Sequence, residues 1–100
     1  MRKLKVVIVE AAIFDLEAIW LFTLNTWLLE QADRYYSLII KETEFLATKP
    51  KSGKILDHIR IGYLSSKVKS HYIFYRFTAA EIVIVRILHE SMDIPNRLND

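Results

Sequence analysis

Residues 81–88, EIVIVRIL, form an almost unbroken run of β-branched and aliphatic side chains. Successive side chains of a strand point to opposite faces of the sheet, so a run with so little polar alternation predicts a strand buried on both faces. The chain has 100 residues, which is enough for one hydrophobic core and too few for two. We therefore expect a single domain, 1–100, that contains this run as a central strand.

Three other segments have the composition of strands. Residues 3–9, KLKVVIV, are short and β-branched, and residues 70–77, SHYIFYRF, are strongly apolar. Residues 62–68, GYLSSKV, have mixed polarity, which predicts a weak strand near a sheet edge. Pro95 interrupts regular structure beyond the last strand, so we expect an irregular tail over 94–100.

Between the first two strand segments the apolar residues follow a helical period, over 10–26 and 29–48. The predicted inner face of the first helix consists of Ala12, Ile13, Leu16, Ile19, Trp20, Thr23, Leu24 and Trp27. That of the second helix consists of Ala32, Tyr35, Tyr36, Ile39, Thr43 and Leu46. The link is short, so the helices should form an antiparallel hairpin. The predicted order is β-α-α-β-β-β, an α+β fold with the helical hairpin on one face of a small, mainly antiparallel sheet.

Composition excludes several classes of protein. The apolar fraction of 52% is too high for a disordered chain, and the absence of cysteine excludes disulfide scaffolds and Cys-based zinc sites. Residues 11–29 are apolar, but Asp15, Glu17 and Asn25 interrupt them, so we expect no membrane partner. The absence of cysteine fits a reducing, cytoplasmic location. Gly53 and Gly62 are the only glycines, too few for a phosphate-binding loop, and we expect neither cofactor nor metal.

Charge is uneven along the chain. Residues 10–47 hold seven acids and two bases, whereas residues 49–76 hold seven bases and one acid. A basic stripe of this kind can attract nucleic acid or an acidic peptide, and it is equally consistent with an ordinary solvated face.

The ordered set of local signatures resembles the ParE-type toxins of bacterial toxin–antitoxin modules, in the RelE/ParE superfamily. The pieces that carry the resemblance run collinearly over roughly 4–94: AAIFDLEAIWLF, TWLLEQADRYY, TKPKSGK, IRIGY, SHYIFYRF and EIVIVRILHESMD. The chain departs from the family pattern at Leu28, where glycine is preferred, at 64–66, and at Lys69, where glycine is common.

The resemblance implies a cytoplasmic toxin that poisons DNA gyrase and is an inhibitor rather than an enzyme. It also implies a ParD-like antitoxin as partner, whose C-terminal segment wraps the toxin while its N-terminal part binds operator DNA, so that the toxin meets that DNA only indirectly. Two alternatives remain open. One is a RelE-like mRNA interferase, and the other is an inactive homologue that serves only as antitoxin partner and co-repressor, which the departures favour.

RNA cleavage needs a general base, a general acid and cations around the phosphorane. The side chains of suitable chemistry are Arg60, His71, Tyr75, Arg76, Arg86 and His89. We predict no catalytic residue, because His89 cannot fill both proton-transfer roles and no cluster is evident. We expect His89 to hydrogen-bond locally, and Arg86 to form an ion pair with Glu81, Glu90 or Asp93.

A second apolar stripe on the first helix suggests a partner. The candidate antitoxin-binding residues are Phe14, Ala18, Leu21, Phe22 and Leu28. They lie away from the predicted inner face, so a partner segment, a second copy of the chain or the second helix must cover them. The candidate target-binding residues, chosen mainly for charge, are Lys67, Lys69, Arg76, Arg86 and His89.

Overall fold

The computed structural model describes residues 3–98. The elements in chain order are β1 (Lys5–Ile8), α1 (Glu10–Thr26), α2 (Leu29–Thr48), a 3₁₀ turn (Pro50–Ser52), β2 (Lys54–Ile55), β3 (Leu64–Val68), β4 (His71–Phe77), β5 (Glu81–His89) and α3 (Ile94–Leu98).

The five strands form one sheet in the order β1-β5-β4-β3-β2. The β1–β5 pair is parallel and the other three pairs are antiparallel. The helical hairpin packs on one face of this sheet, with its contacts concentrated between α1 and β5. The predicted α+β fold and element order are confirmed.

Both long helices begin and end at their predicted residues, but the predicted inner face of α1 is partly wrong. Its buried residues are Ala12, Leu16 and Thr23, whereas Ile13 and Trp27 are 44% and 65% exposed. The small sheet covers only a narrow stripe of the helix, so the edges of the predicted face remain in solvent.

The helix junction does not need the glycine that the family prefers. Leu28 has φ −86° and ψ 160°, an extended conformation that any residue adopts. The positive φ values among the described residues fall at Gly62 and at Lys69, the latter being another position where the family commonly has glycine.

The weak strand β3 lies near a sheet edge, as predicted: it is next to last in the strand order and is followed by the two-residue strand β2, which pairs with it through Lys54 and Ile55. The prediction of an irregular tail is wrong. The tail is helical over Ile94–Leu98, and residues 99–100 lie outside the described part. Pro95 is compatible with this helix because the first turn has no use for its missing N–H.

Strand β5 is covered on both faces, as predicted. A cluster beneath the helices includes Ile82, Ile84 and Ile87, and a second cluster on the opposite face joins Leu88 to Leu98 of α3. The helix-facing positions change from even to odd along β5 because its pairing with β4 contains a register shift between Phe74 and Tyr75.

Candidate functional site

The outer face of the helical hairpin exposes large apolar side chains. Phe14, Leu21, Phe22 and Leu28 are 59%, 52%, 69% and 73% exposed, and Ala18 is also exposed. Helix α2 therefore does not cover the five residues singled out in the sequence. Monomeric proteins seldom expose a contiguous apolar patch of this kind unless it binds something.

Sequence reasoning missed part of this face. Ile13 and Trp27, assigned to the buried side of α1, are exposed, and so is Tyr36, which was assigned to the buried side of α2. Leu29 of α2 is exposed as well. Among the exposed apolar residues of α1, α2 and their junction, we call the following nine the hairpin surface: Ile13, Phe14, Ala18, Leu21, Phe22, Trp27, Leu28, Leu29 and Tyr36. Between the two helices lies a cleft of about 440 Å³, lined by Glu17, Trp20, Leu21, Asp33 and Tyr36.

The basic target-binding candidates occupy separate settings. The Lys67 ammonium lies 3.7 Å from a Glu90 carboxylate oxygen and 5.5 Å from the centre of the Tyr72 ring. Lys69 lies in the two-residue turn between β3 and β4, and Arg76 is exposed on β4. The three cations therefore lie on β3, on the β3–β4 turn and on β4 respectively.

Arg86 forms an ion pair, as expected, but the partner is none of the three acids considered. Its Nε and Nη2 atoms donate to the Asp15 carboxylate at 2.8 and 3.0 Å, and the side chains are 22% and 15% exposed. Asp15 also accepts the Ile87 N–H at 2.9 Å. The candidate target-binding residue Arg86 therefore ties α1 to β5. The pair is separated by 71 positions, too far for sequence spacing to suggest it.

His89 bonds locally, as expected: its Nδ1 lies 2.7 Å from the Ser91 hydroxyl and accepts the Ser91 N–H. The structure also places it in a cluster that the sequence did not predict. The ring centres of His71 and His89 are 5.1 Å apart, and the Tyr35 hydroxyl lies 2.5 Å from His71 Nδ1. The signal available was strand register, since His71 and His89 are direct partners in the β4–β5 pair.

Burial of the His71 ring, followed by the charge of His89, lowers the pKa of His71 from 6.5 to about 4. Burial also raises the pKa of the Tyr35 phenol. Both groups are thus neutral at pH 7. The Tyr35 hydroxyl also reaches the Val68 carbonyl at 3.3 Å, so this cluster fastens α2 to the end of the sheet.

The remaining candidates for acid–base chemistry do not join this cluster. Tyr75 is fully buried, and its hydroxyl donates to the Pro50 carbonyl at 2.7 Å and accepts the Gly53 N–H at 3.0 Å. Arg60 donates to the Leu98 carbonyl and lies over the Tyr63 ring. Among residues 3–98, no three acidic or histidine side chains are placed to hold a metal ion.

None of the helices described is both long and apolar enough to cross a bilayer.

Comparison with known proteins places this arrangement in context. The family model described as ParE toxin of type II toxin–antitoxin system, parDE, matches residues 6–94. The chain is 37% identical over 89 residues to Toxin ParE1 of Mycobacterium tuberculosis, an alignment that covers 88% of this chain and 91% of that protein. It is 34% identical over 79 residues to Toxin ParE1 of Caulobacter vibrioides, covering 79% and 81% of the two chains.

A solved structure has the same fold. A chain of the chromosomal ParDE toxin–antitoxin system from P. aeruginosa superposes with a TM-score of 0.76 at 19% identity, over 87% of this chain and 96% of that one.

Proposed function

The chain belongs to the ParE family of toxins from type II toxin–antitoxin systems, and from this premise we propose that it inhibits DNA gyrase and is neutralised by a ParD-like antitoxin. In this proposal the protein acts in the cytoplasm by binding and has no catalytic residue of its own. Operator DNA is bound by the antitoxin, and the toxin joins that complex only through its partner.

The observation that carries the proposal is the exposure of the hairpin surface. Phe22 and Leu28 are 69% and 73% exposed in the isolated chain. Burying two such side chains against a partner segment stabilises a complex by about 3–6 kcal/mol, at about 1.5–3 kcal/mol for each. An amphipathic segment of the antitoxin supplies the apolar face that this surface needs.

Three observations support a binding role over catalysis. The Tyr75 hydroxyl is buried and committed to Pro50 and Gly53. Arg86, a candidate cation for stabilising a phosphorane during RNA cleavage, forms an ion pair with Asp15 instead. The two histidines that do meet, His71 and His89, lie where burial keeps His71 neutral and fastened to Tyr35.

Antitoxin binding is tested by Leu21→Glu, which places a charge in the hairpin surface. We expect its Kd for the cognate antitoxin, measured by calorimetry, to rise about 10- to 100-fold, since losing 1.5–3 kcal/mol corresponds to that range. Ser52→Glu is the matched control, because it adds the same charge at an exposed polar position of the 3₁₀ turn. A folded Leu21→Glu variant with wild-type affinity would contradict the assignment of this surface.

The target is tested with the antitoxin-free, refolded protein and purified gyrase. We expect loss of supercoiling and accumulation of cleaved DNA, and addition of the antitoxin should restore supercoiling. Normal supercoiling by gyrase in the presence of folded toxin would refute the proposal that gyrase is the target. Ribosome-dependent mRNA cleavage would then identify the interferase alternative, and the absence of both activities would identify an inactive antitoxin partner.

A further inference from the structure

A second recess lies at the junction end of the helical hairpin, facing the β3–β4 turn. It has a volume of about 390 Å³, and its walls include Trp27, Gln31 and Arg34 from the helices and Lys69 and Ser70 from the turn. We call it the Arg34–Lys69 pocket. No acidic side chain lines it, so two cations, an amide and a hydroxyl share a recess beside an exposed indole.

Neither cation of this pocket forms an ion pair within residues 3–98. Both side chains are exposed, and the ion pairs within residues 3–98 join Lys67 to Glu90 and Arg86 to Asp15 instead. The location is unusual because residues 10–47, which form the hairpin, hold seven acids and only two bases, one of them Arg34. The pocket is thus a local positive site on an otherwise acidic element.

The backbone that presents Lys69 is held in a costly conformation. Lys69 has φ 55°, in the left-handed region that glycine favours. Its turn is fastened to the neighbouring strand by the bond from the Glu90 N–H to the Ser70 carbonyl, at 2.8 Å. It is fastened to α2 by the Tyr35 hydroxyl, 3.3 Å from the Val68 carbonyl. A non-glycine residue kept in such a conformation points to a role for its side chain.

We propose that the Arg34–Lys69 pocket binds the carboxylate of a single acidic side chain in the antitoxin segment that covers the hairpin surface. The proposal rests on the function proposed above and adds a charge-selective site to it. The pocket is continuous with the hairpin surface through Trp27, so one extended segment can place apolar side chains on the helices and an Asp or Glu between the two cations. A polyanion such as nucleic acid fits less well, because the surrounding hairpin carries excess negative charge and repels it.

The test uses Arg34→Gln, Lys69→Asn and the double variant, with the antitoxin binding assay at 50 mM and 300 mM NaCl. Asparagine tolerates the left-handed backbone, so the second substitution removes charge without disturbing the turn. We expect each single variant to weaken binding about tenfold at low salt, and the double variant to lose most of the salt dependence. The control Lys51→Gln removes a cation from an exposed position of the 3₁₀ turn and should change Kd less than about twofold.

Charge exchange gives a second, independent readout. Arg34→Glu should abolish tight binding, and one Asp→Lys or Glu→Lys substitution in the antitoxin segment should restore it. Wild-type affinity and salt dependence in the folded double variant would refute the proposed role of the Arg34–Lys69 pocket. The Leu21→Glu variant would still test the hairpin surface separately. If the wild-type chain failed to bind the antitoxin at all, both proposals would fall. A double variant that lost affinity for a single-stranded oligonucleotide but not for the antitoxin would also refute the proposal. It would show that the pocket binds nucleic acid instead.

Discussion

At the scale of single residues, the Asp15 carboxylate accepts a backbone hydrogen bond from a part of β5 that does not pair with β1. The pairing of β1 with β5 ends at Ile84, whereas β5 continues to His89. Beyond that point the Ile87 N–H donates to Asp15, which also holds the Arg86 guanidinium. One side chain of α1 thus satisfies a backbone donor and a partly buried cation together, and each would be costly to leave unpaired.

We therefore expect Asp15→Ala to lower the free energy of unfolding by about 3 kcal/mol, because it removes the carboxylate that accepts from Arg86 Nε and Nη2 and from the Ile87 N–H. Urea denaturation at pH 7 measures this change. Glu17→Ala is the matched control, since Glu17 is exposed on the same helix, and it should shift stability by less than about 0.5 kcal/mol. Equal effects of the two substitutions would show that the ion pair contributes little.

His71 gives the fold a dependence on pH. Its pKa is about 4 in the folded chain against an ordinary value of 6.5, so the unfolded chain binds more protons between these values. Stability must then fall as the pH drops from about 6.5 towards 4. The titratable groups that face the ring, namely Tyr35, His89, Glu90 and Asp15, stay in place in a variant that changes His71 alone.

We expect His71→Gln to reduce the loss of stability between pH 7 and pH 5, compared by urea midpoints. His58→Gln, at an exposed position, should leave the pH profile as in the wild-type chain. An unchanged profile for His71→Gln would mean that other groups cause the acid sensitivity.

At the scale of elements, local pattern was sufficient wherever an element is long. The bounds of α1 and α2 and the strand character of β4 and β5 were predictable because many residues share one period. The two-residue strand β2 and the five-residue helix α3 are too short to show a recognisable hydrophobic period. They form because neighbouring elements provide tertiary contacts for them. Leu98 of α3, for example, is buried against Leu88 and Phe74 on the face away from the hairpin.

The link from α2 to β2 depends on the close approach of Gly53 to Tyr75. A Cβ atom on Gly53 would collide with the Tyr75 hydroxyl and lie 2.9 Å from the Ser65 carbonyl oxygen. We expect Gly53→Ala to destabilise the fold by about 1–3 kcal/mol, as overpacking does. The cost should be smaller in a Tyr75→Phe background, where the hydroxyl is gone, and a double-mutant cycle by thermal denaturation measures the difference. Strict additivity would contradict the collision.

At the scale of the whole molecule, the predicted binding residues separate into two kinds. The five apolar candidates on α1 and at the junction are exposed together because helical geometry alone places them on one side. The five polar candidates could not be grouped from the sequence, since their positions depend on strand register and on Asp15, which no local pattern reveals. The Arg34–Lys69 pocket also could not be predicted from the sequence, because its walls come from segments far apart in the chain.

The hairpin surface should make the free protein associate with itself when no antitoxin is present. We expect sedimentation to show mass increasing with concentration in the micromolar range and above. Phe22→Glu should shift this range upwards by about tenfold, because it removes one of the larger exposed side chains of the patch. Ile61→Glu is the control, since Ile61 is 85% exposed but lies on the loop between β2 and β3. Equal effects would place the self-contact elsewhere.

The parallel pairing of β1 with β5 also sets an order of events during synthesis. Lys5 can pair with Glu81 in the sheet only after Glu81 has left the ribosome. The ion pair between Asp15 and Arg86 forms later still, because Arg86 is synthesised after Glu81. Until then the helical hairpin emerges without the strand that covers its inner side, and such nascent chains expose apolar surface to whatever is nearby. The complete sheet, and with it the ion pair between Asp15 and Arg86, therefore forms only after most of the chain has been translated.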